Sequence, residues 1–173
     1  MNIPEFKTLV ANYNEKTTDV IKSILNHYET VFVIGNGGSS SIAAHSCCDL
    51  AKFLNKKSIP FTDSNRLTCY ANDFGYDKTY VKMLEEFYNH SERTLVILIS
   101  SSGNSENIVN CYRFCADQGI PVGILTGFNE YNKLRLIHSE LQYQPIFDYF
   151  VNSRSYATVE MMHEFVLHSL IDS

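Results

Sequence analysis

The stretch at residues 31–41, VFVIGNGGSSS, carries the strongest indication of the fold in this sequence. Its first four residues are all apolar, and a glycine cluster ends the run. A strand that is apolar on both faces is typical of a buried parallel sheet. The serines at 39–41 can cap a helix, which we predict to continue to about Leu54. The stretch therefore predicts a strand, a tight loop and a helix in succession.

The same order of elements recurs along the chain. A second strong strand at 94–99 is followed by a serine-rich loop at 100–105 and a helix that ends near Gly119. The apolar spacing predicts one or two helices within 5–29, a weaker strand at 59–62, further strands at 121–125 and 147–151, and a closing helix at 155–171. Alternating strands and helices predict an α/β fold with a doubly wound, mostly parallel five-stranded sheet flanked by helices.

Composition narrows the class of protein. The chain has 173 residues, 45% hydrophobic and 19% charged, which is typical of one globular domain without a linker. Its net charge of −5 argues against broad binding to nucleic acid. No apolar run approaches the roughly 20 residues that span a bilayer, and the first residues lack a signal-peptide pattern. We therefore expect a cytoplasmic protein with no nucleic-acid or membrane partner, and with five reduced cysteines.

Two loops of small residues occupy the position where parallel sheets bind ligands. Both the 35–41 loop and the 100–105 loop follow a predicted buried strand and precede a predicted helix. Glycines let backbone N–H groups approach an anion, while serine hydroxyls and a helix N-terminus add donors. Neither loop has the spacing of a dinucleotide or Walker-type site. The pattern indicates a small anion such as phosphate, although tight turns and helix caps alone would also explain it.

At this point the chain resembles a known family. GNGGS at 35–39, SSSGNS at 100–105 and NDFGY at 72–76 are similar to the sugar isomerase (SIS) domain of phosphoheptose isomerases, over nearly the whole chain. The resemblance implies one SIS domain over 1–173, with 1–29 packing on the core or on a subunit interface. It also implies a homotetramer with sites at subunit interfaces.

The same resemblance implies an activity. It is the interconversion of sedoheptulose 7-phosphate and D-glycero-D-manno-heptose 7-phosphate through an enediol, for lipopolysaccharide, capsule or another surface glycan. There are two alternatives. The chain could be an isomerase for another sugar phosphate, or a non-catalytic SIS protein that binds sugar phosphates or has a regulatory role.

The resemblance also implies the site residues. Those expected to bind substrate are Asn36, Gly37, Gly38, Asn72, Asp73, Ser100, Ser101, Ser102, Ser105 and Glu160. Those expected to bind zinc are His45, Asp49, Glu160 and His168, where the family carries His, Glu, Gln and His. Asp49 would be the catalytic base and His168 the acid.

Helical spacing supports part of this set. His45 and Asp49 are four residues apart and share one helix face. Glu160 and His168 are eight apart, a rise of roughly 12 Å, so they share a face only loosely. Spacing alone favours Glu164 as the neighbour of His168, whereas the resemblance favours Glu160.

Asp49 itself departs from the family's Glu and is shorter by one bond, about 1.5 Å. Three interpretations are open. In the first, the helix sits closer and Asp49 still serves as base and metal ligand. In the second, the metal holds Asp49 and another group takes the proton. In the third, isomerase activity is lost and sugar-phosphate binding is kept.

Overall fold

The sheet of the computed structural model, which describes residues 2–171, is entirely parallel. Its four strands pair in the order β1-β2-β3-β4, and they are β1 (Thr30–Gly35), β2 (Thr94–Ser100), β3 (Val122–Gly127) and β4 (Phe147–Val151). The predicted α/β class, with helices flanking a parallel sheet, is confirmed. The predicted count of five strands is wrong by one within the described residues.

The missing strand is the one predicted at 59–62. Instead, Lys57 forms a single parallel bridge to Thr30, and Val31 donates its N–H to the Lys57 carbonyl at 2.9 Å. Pro60 has no N–H to donate, so a ladder cannot continue through it. Because Thr30 also pairs with Thr94 of β2, the bridge lies on the opposite side of β1. The chain therefore winds away from β1 in both directions, as a doubly wound fold requires.

Eight α-helices are described. They are α1 (Ile3–Ala11), α2 (Lys16–Leu25), α3 (Gly38–Leu54), α4 (Ser64–Phe74), α5 (Thr79–Phe87), α6 (Glu106–Gln118), α7 (Lys133–Leu141) and α8 (Tyr156–Ser169). A short 3₁₀ turn, Tyr76–Lys78, joins α4 to α5. No helix within residues 2–171 has the length and apolarity needed to cross a membrane.

The two faces of the sheet bury separate apolar clusters. Phe32 and Ile34 point to the face covered by α5, α6 and α7, while Val31 and Val33 point to the face covered by α2, α3 and α8. This alternation follows from the two-residue period of a strand. Because both faces are covered, the strands are apolar throughout, as the 31–34 run predicted.

The N-terminal helices pack on the second face. Ile21 and Leu25 of α2 are buried in the cluster that includes Val31 and Val33. Phe6 and Val10 of α1 pack beside Val159 of α8. In the described structure the 3–25 segment thus covers α8 and this side of the sheet.

Candidate active site

A cavity of about 260 Å³ opens at the carboxyl ends of β1 and β2. Both small-residue loops line it, together with two residues of α8. The lining residues are Asn36, Gly37, Gly38, Ser39, Ile99, Ser100, Ser101, Ser102, Ser105, Tyr156 and Glu160. Parallel sheets bind ligands at this position, where the direction of winding reverses. The structure thus brings together most of the predicted substrate residues.

The first loop needs its glycines for two different reasons. Gly37 precedes α3 with φ of +55°, a conformation that L side chains rarely adopt. Gly38 begins the helix, and a Cβ added there would overlap the Glu160 carboxylate. The helix thus starts at Gly38, and the expectation that the serines at 39–41 cap it from outside is wrong. They form its first turn.

The second loop presents hydroxyls that the protein itself does not use. The Ser101 hydroxyl is buried, and it has no hydrogen-bond partner among the described residues. Ser105 is the N-cap of α6, but its side chain makes no capping bond. A buried polar group without a partner is costly, so it marks a position where a ligand atom would be accommodated favourably. The first N–H groups of α6 add further donors for an anion.

Asn36, predicted to bind substrate, already has partners within the protein. Its amide donates to Asn107 Oδ1 at 2.8 Å, and its carbonyl oxygen accepts from Asn107 Nδ2 and from the Tyr76 hydroxyl, both at 2.9 Å. The side chain therefore ties the first loop to α6 and to the turn after α4. Neither Asn107 nor Tyr76 was predicted, because their roles depend on packing between distant segments.

Three predicted metal residues converge between α3 and α8. Asp49 Oδ2 lies 3.6 Å from His45 Nε2 and 3.3 Å from His168 Nδ1. One ligand atom from each residue lies within 4.8 Å of the others. Two imidazoles and a carboxylate are a donor set that suits a divalent metal such as zinc. This cluster, which we call the His/Asp cluster, can therefore hold a metal ion.

Glu160 does not join the His/Asp cluster among the described residues. Its carboxylate lies against Gly38 in the cavity, where burial raises its pKa. Glu164 lies nearer the cluster, with Oε1 3.6 Å from His168 Nε2. This geometry agrees with the helical spacing, which favours Glu164 over Glu160 as the neighbour of His168.

The cavity and the His/Asp cluster lie along one pair of helices. Gly38 meets Glu160 at one end of the pair, and Asp49 meets His168 further along, so α3 and α8 run in the same direction. His45 is seven residues beyond Gly38, a rise of about 10 Å along α3. The two groups of side chains are thus separated by roughly the length of an extended small molecule.

Asn72 and Asp73 lie outside this arrangement. Both are exposed at the C-terminal end of α4, and Asn72 Nδ2 donates to Asp73 Oδ1 at 3.0 Å. Neither residue lines the cavity in the single chain. Their predicted contact with the sugar therefore stays a prediction.

His163 links α8 to strand β3 of the sheet. It is completely buried, and its Nε2–H donates to the Thr126 carbonyl at 3.1 Å. Burial lowers its pKa to about 4, although this hydrogen bond opposes the shift. The residue is therefore neutral near neutral pH, and it fixes the helix that carries Glu160 and His168.

Comparison with known proteins identifies the class. The SIS domain family matches residues 6–127, well over half of the chain, so the chain belongs to the SIS domain family. Within that family it is similar to phosphoheptose isomerases, as its motifs predicted. A curated phosphoheptose isomerase of Cytophaga hutchinsonii is 36% identical over 117 residues, which cover 65% of this chain and 60% of the relative. One of Colwellia psychrerythraea is 31% identical over 148 residues, which cover 80% and 70%.

Solved structures agree with this assignment. A phosphoheptose isomerase from Francisella tularensis superposes with a TM-score of 0.77 at 25% identity, covering 96% of this chain and 89% of that one. The chain spans 60% to 62% of the length of three curated relatives that it matches.

Proposed function

We propose that the chain is an aldose–ketose isomerase that interconverts sedoheptulose 7-phosphate and D-glycero-D-manno-heptose 7-phosphate. One observation carries the proposal. The cavity formed by the two serine and glycine loops and the His/Asp cluster lie on the same pair of helices, α3 and α8. The cavity can therefore hold a phosphate group while the neighbouring His/Asp cluster meets the carbonyl end of the same molecule. The curated relatives are named phosphoheptose isomerases.

The phosphate binds at the second loop. Ser101 offers a buried hydroxyl without a partner, and Ser105 offers a hydroxyl that does not cap its own helix. The N-terminus of α6 adds backbone donors and partial positive charge. Ser100 accepts the Gly103 N–H at 3.2 Å, so its hydroxyl hydrogen is free to donate.

The carbonyl end of the sugar reaches toward the His/Asp cluster. Six C–C bonds of about 1.5 Å give an open seven-carbon chain a span of roughly 8 Å, before the phosphate is added. This length is comparable to the rise of about 10 Å between Gly38 and His45 along α3. An open seven-carbon chain is thus long enough to extend along α3 from the cavity to the cluster.

Asp49 and His168 carry the proton transfer. Asp49 takes the proton from C1 of the ketose, and the imidazole of His168 gives a proton to the C2 carbonyl oxygen when no metal occupies its Nδ1; a metal held there would stabilise that oxygen instead. Asp49 approaches His168 to 3.3 Å although it is shorter than the family's Glu. This contact supports the interpretation in which the helices sit close enough for Asp49 to act.

Zinc fits the donor atoms of His45, Asp49 and His168. When bound, the ion stabilises negative charge that develops on a substrate oxygen. Glu160 binds the sugar from the cavity side, since its carboxylate faces the loops rather than the cluster. The cytoplasmic location, the homotetramer with sites at subunit interfaces and the supply of heptose to a surface glycan stay predictions.

The test is a proton NMR time course in heavy water. Sedoheptulose 7-phosphate is incubated with the purified, zinc-supplemented protein, and parallel samples contain fructose 6-phosphate or ribulose 5-phosphate. Aldose signals that arise only from the heptulose phosphate are the expected result. Conversion of another ketose phosphate instead would reassign the substrate. Phosphate binding without any conversion would favour a binding or regulatory protein and contradict the proposal.

A further inference from the structure

We propose that Glu164 is a positioning residue that orients the His168 ring for metal binding. The inference rests on the metal site of the proposed function. Glu164 lies outside the predicted set of metal ligands. The proposal follows from the positions of the two ring nitrogens of His168.

The two ring nitrogens of His168 face different carboxylates. Nδ1 lies 3.3 Å from Asp49 Oδ2, on the side of the His/Asp cluster. Nε2 lies 3.6 Å from Glu164 Oε1, on the other side of the ring. A neutral imidazole carries one proton, so the nitrogen that offers its lone pair to a metal leaves the other nitrogen as the donor. With Nδ1 turned to the metal, Nε2 would keep the proton, and the Glu164 carboxylate is the group on that side, 3.6 Å away and one small side-chain rotation from hydrogen-bond distance.

The proximity of Glu164 to His168 follows from helical geometry. Glu164 and His168 are one turn apart on α8, a spacing that places their side chains on one face. The His168 side chain is 38% exposed and that of Glu164 36%, so neither is locked by surrounding core. Asp49 and the edge-on His45 ring, with centroids 4.7 Å apart, contact the ring on its other side and leave the Nε2 side to Glu164. The Glu164 carboxylate therefore selects the orientation in which Nδ1 points at the cluster.

The same geometry separates Glu164 from Glu160. Glu160 contacts Gly38 in the cavity, two turns of α8 before His168. Glu160 therefore lies at the cavity end of the α3–α8 pair, and Glu164 lies beside the His/Asp cluster. Metal-ligating histidines commonly donate their second N–H to a carboxylate, and loss of such a partner weakens metal binding about 10- to 100-fold.

The experiment measures zinc affinity by competition with a chromogenic chelator. Wild type is compared with Glu164→Ala, Glu164→Gln, His168→Ala and Asp117→Asn. Asp117 is an exposed residue on α6, so its variant removes one negative charge away from the cluster. Thermal melting of the metal-free proteins checks that each variant is folded, and alanine suits the helix.

We expect Glu164→Ala to bind zinc about 10- to 100-fold more weakly, with melting and Asp117→Asn unchanged. Glu164→Gln should recover part of the loss, because its amide oxygen still accepts from Nε2. A Gln variant as weak as the Ala variant would indicate charge alone and overturn the positioning role. The positioning role would also be overturned if Glu164→Ala kept wild-type zinc affinity while His168→Ala lost zinc binding. Wild type that binds no zinc would instead overturn the metal site itself, and the role of Glu164 with it.

Discussion

Asn36 and Asn107 form a reciprocal amide pair, each side chain donating to the other at 2.8 and 2.9 Å. Asn36 follows β1 and Asn107 lies in the first turn of α6, so the pair joins the two loops that line the cavity. Asn107 is almost completely buried. The distance between the two loops is therefore set by hydrogen bonds inside the protein before any substrate binds.

Breaking this pair should impair catalysis more than folding. Asn107→Leu removes both bonds of the pair and leaves the half-buried Asn36 with only the Tyr76 hydroxyl among its described side-chain partners, at a cost of about 1 kcal/mol. We expect kcat/KM for the sugar phosphate to fall about 10- to 100-fold, while the protein stays folded. Asn110→Ala on the same helix is the control, since the Asn110 amide donates to the Asp77 carbonyl at 3.0 Å and, among the described residues, not to Asn36. Equal losses in both variants would argue against a special role for the pair.

Removing the Ser101 hydroxyl should separate binding from stability. Ser101→Ala deletes a buried group that has no partner in the protein, so the melting temperature should be unchanged or slightly higher. Affinity for inorganic phosphate should fall about tenfold, the equivalent of one hydrogen bond to a charged ligand. Isothermal titration with phosphate measures this.

Thr126→Val is the matched control for Ser101→Ala. The Thr126 hydroxyl is also buried without a partner, but Thr126 does not line the cavity. It should leave phosphate affinity unchanged. Reduced affinity in Thr126→Val, or none lost in Ser101→Ala, would contradict a phosphate site at the second loop.

A methyl group at Gly38 should displace Glu160. The added Cβ of Gly38→Ala would overlap that carboxylate, so the side chain must swing out of the cavity. We expect KM to rise. The overlap also costs folding stability, and the better helix propensity of alanine, up to about 1 kcal/mol, offsets that cost. The double variant Gly38→Ala/Glu160→Ala relieves the overlap. Its KM should match that of Glu160→Ala alone, and additive effects of the two substitutions would contradict the contact.

His163 should make the protein sensitive to mild acid. Its pKa is about 4 when folded, well below its usual value of 6.5, because the ring is buried. The unfolded chain therefore takes up a proton first as the pH falls. Stability that is fully present above pH 6.5 is lost between about pH 6.5 and 4, on the order of 3 kcal/mol for this group.

Denaturant unfolding from pH 7.5 to 4.5 measures this loss, with His163→Gln for comparison. The variant should show a flatter dependence of the free energy of unfolding on pH. An identical slope in both proteins would contradict the assignment.

The elements that sequence predicted well share one property. The strands at 31–34 and 94–99 are buried on both faces, so their apolar runs and following glycines or serines are unambiguous. The prediction of a strand at 59–62 was wrong. In the described structure the chain forms a single bridge nearby, at Lys57, and that bridge depends on pairing with β1 rather than on the local sequence pattern. His45 and Asp49 lie on one helix, and their spacing predicted their proximity. The amide pair could not be predicted, since Asn36 and Asn107 are 71 residues apart and meet only through the fold.

The most direct test compares wild type and Asp49→Asn in heavy water with sedoheptulose 7-phosphate. Proton NMR follows the appearance of aldose and the incorporation of solvent deuterium at C2. Wild type should form aldose that carries deuterium at C2, the signature of an enediol. Asp49→Asn should bind the substrate but form no product, because the amide cannot accept the C1 proton. A near-wild-type rate in Asp49→Asn would remove Asp49 from catalysis and contradict the account.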